Sequence, residues 1–133
     1  MPSGRRHYRV TVSDARRAHD LALQYGGRPG ILDAGRIEAA INRPYSGYFR
    51  VIASKAAALF EAIANNHGFV DGNKRTAILL TDLLIKRSGY RVTASDASED
   101  LNSALEELAV SVARGDLQLA DITDWFKQRL TRR

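Results

Sequence analysis

The sequence contains no cysteine among its 133 residues, which excludes a disulfide framework and a thiolate metal site. It also lacks any apolar run near the roughly 18 residues that a membrane span needs. Its start, MPSGRRHY, is positively charged but is not followed by the apolar stretch of a signal peptide. We therefore expect a cytoplasmic protein without a membrane partner.

Acidic residues are scarce in the first part of the chain. Residues 1–50 carry nine arginines, no lysine and four acidic residues. Their excess of five positive charges equals the net charge of the whole chain, +5. Such a surface could face an acidic partner, RNA or a phosphorylated ligand. The few aromatic residues are not interleaved with the basic ones, and no RNA-binding signature is present. We therefore expect a solvated, arginine-rich surface rather than a nucleic-acid site.

Helical periodicity predicts an all-α fold, a bundle of about six helices in one domain over residues 1–133. The helices are expected at residues 14–25, 34–42, 49–65, 73–88, 98–113 and 119–130. The third and fourth helices are apolar on almost every side, which is typical of helices in the middle of a bundle.

Capping residues and short extended stretches complete this prediction. Ser13 is the expected N-cap of the first helix, and Ser95 or Ser98 that of the fifth. Alternating sequence at residues 8–12 and a brief extended segment at residues 90–95 allow at most a marginal strand pair.

The junction of the two most apolar helices, HGFVDGNKRTA at residues 67–77, concentrates ionisable side chains. The backbone N–H groups of a helix beginning near Asn73 favour an anion, typically phosphate, and the preceding Gly72 lets a ligand approach closely. Lys74 and Arg75 add positive charge at a helix end where cations are locally unfavourable by ~0.3–1 kcal/mol each. This local penalty indicates a ligand.

Two further side chains of the junction suit phosphoryl or nucleotidyl transfer. Asp71 offers the hard oxygen that Mg²⁺ takes from a protein while substrate phosphates and water complete its shell. His67 can exchange a proton near neutral pH. Phe69, between them, can bury itself and fix the loop.

Ordinary structural roles remain open for each residue taken singly. Asp-Gly-Asn is a common turn sequence, first-turn cations are usually solvated, and a lone histidine is often structural. The GxxxxGK[ST] order of a P-loop is missing. A metal pair of His67 with Asp71 would need a helix that Gly68 and Gly72 disfavour. His19, on the first helix, is expected to be structural.

The order His67-x-Phe69-x-Asp71-Gly72-Asn73-x-Arg75 resembles the Fic/Doc signature HxFx(D/E)GN(G/K)R. Lys74 in the variable slot makes it similar to the Doc branch, the "death on curing" toxins of toxin–antitoxin pairs. Residues 25–44, YGGRPGILDAGRIEAAINRP, are similar to the Doc N-terminal pattern, and so is the preceding His19. The resemblance covers residues 15–126 and implies the family's all-α fold.

The resemblance also implies an activity. Doc-type toxins are protein kinases that use ATP and Mg²⁺ to phosphorylate a threonine of elongation factor Tu and stop translation. By this resemblance His67 is the general base and Asp71 holds Mg²⁺. Backbone amides of Gly72, Asn73 and Lys74 bind phosphate.

The remaining roles concern charge and loop position. The side chains of Lys74 and Arg75 neutralise phosphate charge, and Phe69 anchors the loop. The family's target-positioning flap is expected in residues 43–49, at Tyr45, Ser46 and Gly47. The partner is expected to be a Phd-like antitoxin whose disordered tail folds on the toxin. A groove along residues 1–50 would suit an acidic tail.

Several positions distinguish phosphate transfer from AMP transfer, which Fic proteins typically catalyse. Lys74 replaces the second glycine of the Fic motif, and Ile78 stands where AMP-transferring members have a second arginine. Both favour the kinase. Gly72 keeps the Fic-like Gly-Asn, so AMP transfer to a protein hydroxyl stays an alternative. Gly68 replaces a common proline, and we expect little from it beyond extra loop freedom.

Two more alternatives concern regulation and function. Residues 95–100 and 103–108 come near the inhibitory pattern [ST]xxxE[GN] but lack its final residue, which favours inhibition by a separate antitoxin. A non-catalytic reading also remains: a basic helical module that uses the loop as an anion site and binds an acidic partner or RNA.

Overall fold

The computed structural model describes residues 7–133, and the expected helices are present there. They are α1 (Val12–Leu23), α2 (Ala34–Asn42), α3 (Ile52–Asn65), α4 (Asn73–Arg87), α5 (Leu101–Arg114) and α6 (Leu119–Lys127). A short 3₁₀ helix, Arg43–Tyr45, follows α2, and strands β1 (Tyr90–Val92) and β2 (Leu130–Arg132) form an antiparallel pair. The predicted all-α Fic/Doc-type bundle with a marginal strand pair is confirmed.

Helix α3 is the centre of the bundle, and it packs against α2, α4, α5 and α6. Ten of its 14 residues are buried, many of them alanines that let the neighbouring helices approach closely. Helix α4 differs from the prediction because Ile78, Leu79 and Leu83 on its other side are only half-buried. In residues 7–133, no helix combines the length and the apolar character needed to cross a bilayer.

The predicted strand at residues 8–12 is wrong, because this segment is irregular and α1 already begins at Val12. Thr11, not Ser13, is the N-cap. Its hydroxyl accepts the Asp14 N–H at 3.0 Å, and the Asp14 carboxylate accepts the Thr11 N–H at 3.0 Å. This reciprocal capping box satisfies two N–H groups and outcompetes strand formation.

The extended segment near residue 90 is confirmed as β1, but its partner is β2 at the other end of the described chain. Helix α6 therefore ends at Lys127, three residues before the prediction. Helix α5 begins at Leu101 and its N-cap is Asp100, so neither Ser95 nor Ser98 is the cap that the sequence predicted. Ser98 instead bonds the Asp96 carboxylate, and the Ser95 N–H donates to Glu99. These bonds hold the segment in a turn.

Residues 43–49, the expected flap, are partly fixed against the bundle. Pro44 is buried, and the Tyr45 hydroxyl accepts the Val10 N–H at 2.8 Å and donates to the Tyr8 carbonyl at 2.7 Å. Tyr45 therefore fixes the N-terminal segment against the bundle. Only the following residues remain open, and Tyr48 is 85% exposed.

Candidate functional site

The loop between α3 and α4 carries an unusual backbone conformation at His67. Its φ of 50° is the only positive value for a non-glycine residue in the described chain, residues 7–133. Such a conformation costs free energy and persists where the surroundings impose it, often at functional sites. The His67 side chain is exposed. The residue most suited to proton transfer is thus presented to solvent at the end of the central helix.

The loop is anchored from below by Phe69, which is 1% exposed. Its ring stacks on His19 of α1 with centroids 3.9 Å apart. The Asn73 side chain accepts the Phe69 N–H at 3.1 Å and donates to the Phe69 carbonyl at 3.0 Å. The Asn73 amide therefore closes the loop on itself, a role that the sequence did not suggest for it.

The start of α4 has the features that favour an anion. Gly72 is its N-cap at φ 78°, a left-handed conformation that favours glycine, and no side chain caps the helix there. The first helical bond runs from the Thr76 N–H to the Gly72 carbonyl. Lys74 and Arg75 lie in the first turn, and no acidic residue does. The partial positive charge of the helix end and two cations therefore coincide.

A cavity of about 480 Å³ joins these parts. Its polar wall comes from the loop and the start of α4, and its apolar wall from α3, α4 and α5. The lining residues are Ala64, His67, Val70, Asp71, Gly72, Asn73, Lys74, Arg75, Ile78, Glu106, Ala109, Val110 and Ala113. Six of these residues are the catalytic, metal-binding and phosphate-binding candidates from the sequence: His67, Asp71, Gly72, Asn73, Lys74 and Arg75. They share one cavity, whose volume is typical of small-molecule sites. Phe69 lies below it in the core.

Asp71 presents an ionised carboxylate to this cavity. The backbone N–H groups of Arg28 and Gly72 donate to it at 3.2 and 2.9 Å. These hydrogen bonds, with the nearby charges of Arg28 and Lys74, lower the pKa of Asp71 below its usual value. Gly27 allows the close approach, because a Cβ there would lie 3.2 Å from the carboxylate oxygen.

The donor set suits a metal shared with a phosphate rather than a metal held by protein alone. Across residues 7–133, no group of three or more His, Cys, Asp or Glu side chains could hold a metal ion. Asp71 supplies one hard oxygen beside an anion site, which is the arrangement in which Mg²⁺ is bound through a carboxylate and substrate phosphates. The residues present therefore fit Mg²⁺ bound together with a nucleotide.

Residues 26–33 contact the motif loop, although the motif itself does not reveal them as part of the site. The backbone of this segment pairs with the motif loop: the Val70 N–H donates to the Gly30 carbonyl at 3.0 Å, and the Leu32 N–H to the Gly68 carbonyl at 2.8 Å. Ile31 and Leu32 remain exposed beside this bridge, at 41% and 64%. Two signals pointed to this segment: the Gly-Arg-Pro-Gly turn, rich in residues that permit unusual backbone angles, and the similarity of residues 25–44 to the Doc N-terminal pattern.

The expectation for Gly68 was wrong. A Cβ at this position would lie 2.6 Å from Cγ1 of Ile37 on α2, which is closer than real contacts allow. The Gly68 carbonyl also accepts the N–H groups of Leu32 and Asp33. Gly68 is therefore a point of close packing between the loop and α2, and not a source of loop freedom.

Arg75 has two neighbours that the sequence did not identify. Its guanidinium lies 4.2 Å from the ring centroid of Tyr25, and it pairs with the Glu106 carboxylate of α5 at 3.6 Å. Glu106 belongs to the segment of residues 103–108 that comes near the inhibitory pattern. Arg75 thus lies at the cavity between the end of α1 and the face of α5.

The expected flap residues lie elsewhere. Tyr45, Ser46 and Gly47 precede the N-terminus of α3, whereas the motif loop leaves the C-terminus of that helix. A 14-residue helix is about 21 Å long. The flap assignment therefore stays a prediction, and residues 26–33 are an upstream segment that does contact the motif loop.

Comparison with known proteins agrees with the motif. The model of the Fic/DOC family matches residues 9–85. "Protein kinase doc" of Escherichia phage P1 is 35% identical over 118 residues, which cover 83% of this chain and 86% of that protein. "Toxin Doc" of Mycolicibacterium smegmatis (strain ATCC 700084 / mc(2)155) is 36% identical over 88 residues, which cover 60% of this chain and 68% of that protein.

Proposed function

Since this chain belongs to the Fic/DOC family, we propose that it is a Doc-type toxin that acts as an ATP- and Mg²⁺-dependent protein kinase. The names of its relatives, one a kinase and one a toxin, support this assignment. The observation that carries it is the single cavity in which an exposed histidine, a carboxylate and an uncapped helix start with two cations meet.

In the proposed reaction, the oxygen of a target hydroxyl attacks the γ-phosphorus of ATP. The bond from that phosphorus to the β–γ bridging oxygen breaks, ADP leaves, and His67 takes the hydroxyl proton. The exposed position of His67 at the cavity gives a protein substrate access to it. Such a base contributes typically about 10²–10⁴-fold to a rate.

The start of α4 holds the phosphates in this proposal. Backbone N–H groups of Gly72, Asn73 and Lys74 bind them, and the side chains of Lys74 and Arg75 neutralise their charge. Asp71 would hold Mg²⁺, which supplies further charge neutralisation when bound together with the nucleotide. Most of the catalysis is therefore positioning and electrostatics.

Ile78 favours phosphate transfer over AMP transfer. It lines the cavity one turn after Lys74, in the slot where AMP-transferring Fic proteins have a second arginine. An apolar side chain there cannot orient a γ-phosphate. The alternative, AMP transfer to a protein hydroxyl, keeps one supporting observation: Gly72 adopts φ 78° at the Gly-Asn that Fic proteins share.

The target and the inhibitor follow from the family resemblance. We propose a threonine of elongation factor Tu as the acceptor, in the cytoplasm, and a Phd-like antitoxin with an acidic tail as the inhibitor. The arginine excess of residues 1–50 supports an acidic partner, although residues 1–6 of that stretch lie outside the described chain. The backbone edge at residues 30–32 is a better candidate than Tyr45–Gly47 for positioning the target.

We further propose that residues 1–133 form one domain. A single core cluster draws buried side chains from α1 to α6, which supports this. One cooperative unfolding transition, seen equally by two probes, is the result that we expect.

The test is a labelling experiment. The protein is incubated with Mg²⁺, purified elongation factor Tu and ATP labelled at the α- or γ-phosphate, beside His67→Ala and a His7→Ala control. His7, which lies against Tyr90 and outside the cavity lining, tests the mere loss of a histidine. We expect γ-label on the factor with the unmodified protein and the control, and none with His67→Ala.

The other outcomes separate the alternatives. α-label on the factor would contradict the kinase and assign AMP transfer. Label that persists in His67→Ala would contradict the role of His67. If neither label is transferred and a partner is bound with a steep dependence on salt, the non-catalytic basic module is supported instead.

A further inference from the structure

His19 is outside the motif but lies beneath the motif loop, where it contacts Phe69, Asp71 and Gly72. It is 5% exposed on α1, and its ring is parallel to that of Phe69 within 10°. Its Nε2 lies 2.8 Å from the backbone oxygen of Asp71. A Cβ on Gly72 would be 3.6 Å from the His19 ring. The imidazole thus touches the loop at the peptide between Asp71 and Gly72.

This hydrogen bond fixes which way that peptide faces. A carbonyl can only accept, so the His19 Nε2 must carry a proton and donate it. The carbonyl of Asp71 is thereby held toward α1, and the N–H of the same peptide faces the Asp71 carboxylate at 2.9 Å. The two ends of one peptide group are therefore bound on opposite sides.

The conformational preference of Gly72 does not select this orientation of the peptide. Glycine populates positive and negative φ about equally, so rotation of the Asp71–Gly72 peptide is cheap for the backbone. Rotation would exchange the two ends: the N–H would leave the cavity and the carbonyl oxygen would enter it. An oxygen facing a phosphate is repulsive, whereas a preorganised N–H stabilises it.

We propose that His19 is a positioning residue for phosphate binding, because its Nε2–H locks the Asp71–Gly72 peptide with its carbonyl turned away from the cavity. The proposal deepens the proposed kinase function and rests on it for its catalytic consequence. When Asp71 turns to a cation, its own bond to the Gly72 N–H is weakened. The bond from His19 then becomes the main restraint on this peptide.

Two substitutions separate the donor from the ring. His19→Phe keeps an aromatic ring against Phe69 and removes the donor. His19→Gln removes the ring and keeps an N–H donor at a similar distance from the backbone. A purely structural role through stacking predicts that His19→Phe is the milder change. A positioning role predicts the reverse order.

The readouts are γ-label transfer and the ¹H–¹⁵N resonance of Gly72, with thermal unfolding as a check of the fold. In His19→Phe we expect transfer to fall about 10- to 100-fold, the scale on which small misplacement of a catalytic group is felt. We also expect its Gly72 amide to shift or broaden. In His19→Gln most of the transfer should remain, with Gly72 close to its original position.

The proposal is overturned if His19→Phe transfers label normally with an unchanged Gly72 resonance, or if His19→Gln is impaired as much as His19→Phe. If the unmodified protein transfers no label, the proposed function fails, whereas the Gly72 resonance still decides whether His19 locks the peptide.

Discussion

Helices α1 and α4 begin in opposite ways, although both pack in the same bundle. Helix α1 begins with the capping box of Thr11 and Asp14, which places a carboxylate in its first turn. Helix α4 begins at a glycine without a side-chain cap, and its first turn carries Lys74 and Arg75. Acidic residues stabilise a helix start and cations destabilise it.

Under the proposed function, this difference marks where stability is given up for a ligand. The capping box of α1 satisfies two N–H groups and places a carboxylate at the positive end of its dipole, so this helix start has little to offer to an anion. The first turn of α4 has no side-chain cap and lies beside a cavity of about 480 Å³. A bound phosphate would complete the cap of α4 as Asp14 completes that of α1. Substitutions at the start of α4 should therefore lower activity more than stability, and substitutions at the start of α1 should lower stability more than activity.

The largest expected effect is that of Lys74→Glu. Label transfer should fall by about 100-fold or more, because a carboxylate would face the phosphates in a site proposed to work by electrostatics. The free energy of unfolding should rise by ~0.3–1 kcal/mol, since an acidic residue suits a helix start. Transfer assays and urea titrations measure the two quantities.

Lys86→Glu is the matched control at the other end of α4. It makes the same change of charge where the dipole favours a cation, and it breaks the pair with Asp82 at 2.9 Å. Stability should fall slightly and transfer should persist. If Lys74→Glu kept its activity, or lost stability as Lys86→Glu does, the comparison between the helix starts would be wrong.

A smaller effect, on stability alone, is expected from Asp14→Asn. The variant weakens the capping box and the bond that the Tyr8 hydroxyl donates at 2.6 Å, so the free energy of unfolding should fall by about 1–2 kcal/mol. Transfer measured well below the unfolding temperature should not change. A loss of transfer without a loss of stability would contradict the assignment of this helix start to folding.

The pH dependence of this variant has a defined sign. Burial raises the pKa of Asp14, but hydrogen bonds from Tyr8 and Thr11 outweigh it and bring the pKa below its usual value. The contribution of Asp14 is therefore complete above the unfolded pKa, about 3.9, and is lost as the pH falls through the folded pKa. The difference in Tm between the two proteins should shrink below about pH 4.

The smallest effect is expected from Glu106→Gln, which frees Arg75 from its ion pair. The two side chains are 37% and 59% exposed and 3.6 Å apart, so the pair is worth no more than ~0.5 kcal/mol. Affinity for Mg²⁺-ATP should therefore rise only about twofold, as calorimetry can measure. A rise of more than tenfold would mean that α5 inhibits the site in cis.

The sequence predicted the helices well because their apolar periodicity is local, and α3 is buried on almost all sides as its alanines indicated. It failed where the partner is distant along the chain. The strand pair joins residues 90–92 to residues 130–132, and no local pattern encodes such pairing. The irregular segment at residues 8–11 was mistaken for a strand because alternation alone cannot show that Thr11 caps a helix.

In the candidate site, the sequence identified the residues whose chemistry is visible in the motif. It did not place His19, residues 26–33 or Glu106 beside the motif, since each reaches the site only through tertiary packing. It also misjudged Gly68, because the need for a small residue arises from Ile37 on another helix. The chemical character of the candidate residues could be predicted from the motif, but the tertiary contacts that position the motif could not.

The position of the one tryptophan in the chain determines what its fluorescence can report. Trp125 lies on α6 with the Arg129 guanidinium 3.9 Å from its ring, and Arg129 is held by two hydrogen bonds to Glu99. The cavity, by contrast, is lined by α3, the motif loop, α4 and α5. Tryptophan fluorescence therefore reports the packing of α6 rather than the occupancy of the site. An inactive variant with unaltered tryptophan emission has lost its chemistry and kept the packing of this helix.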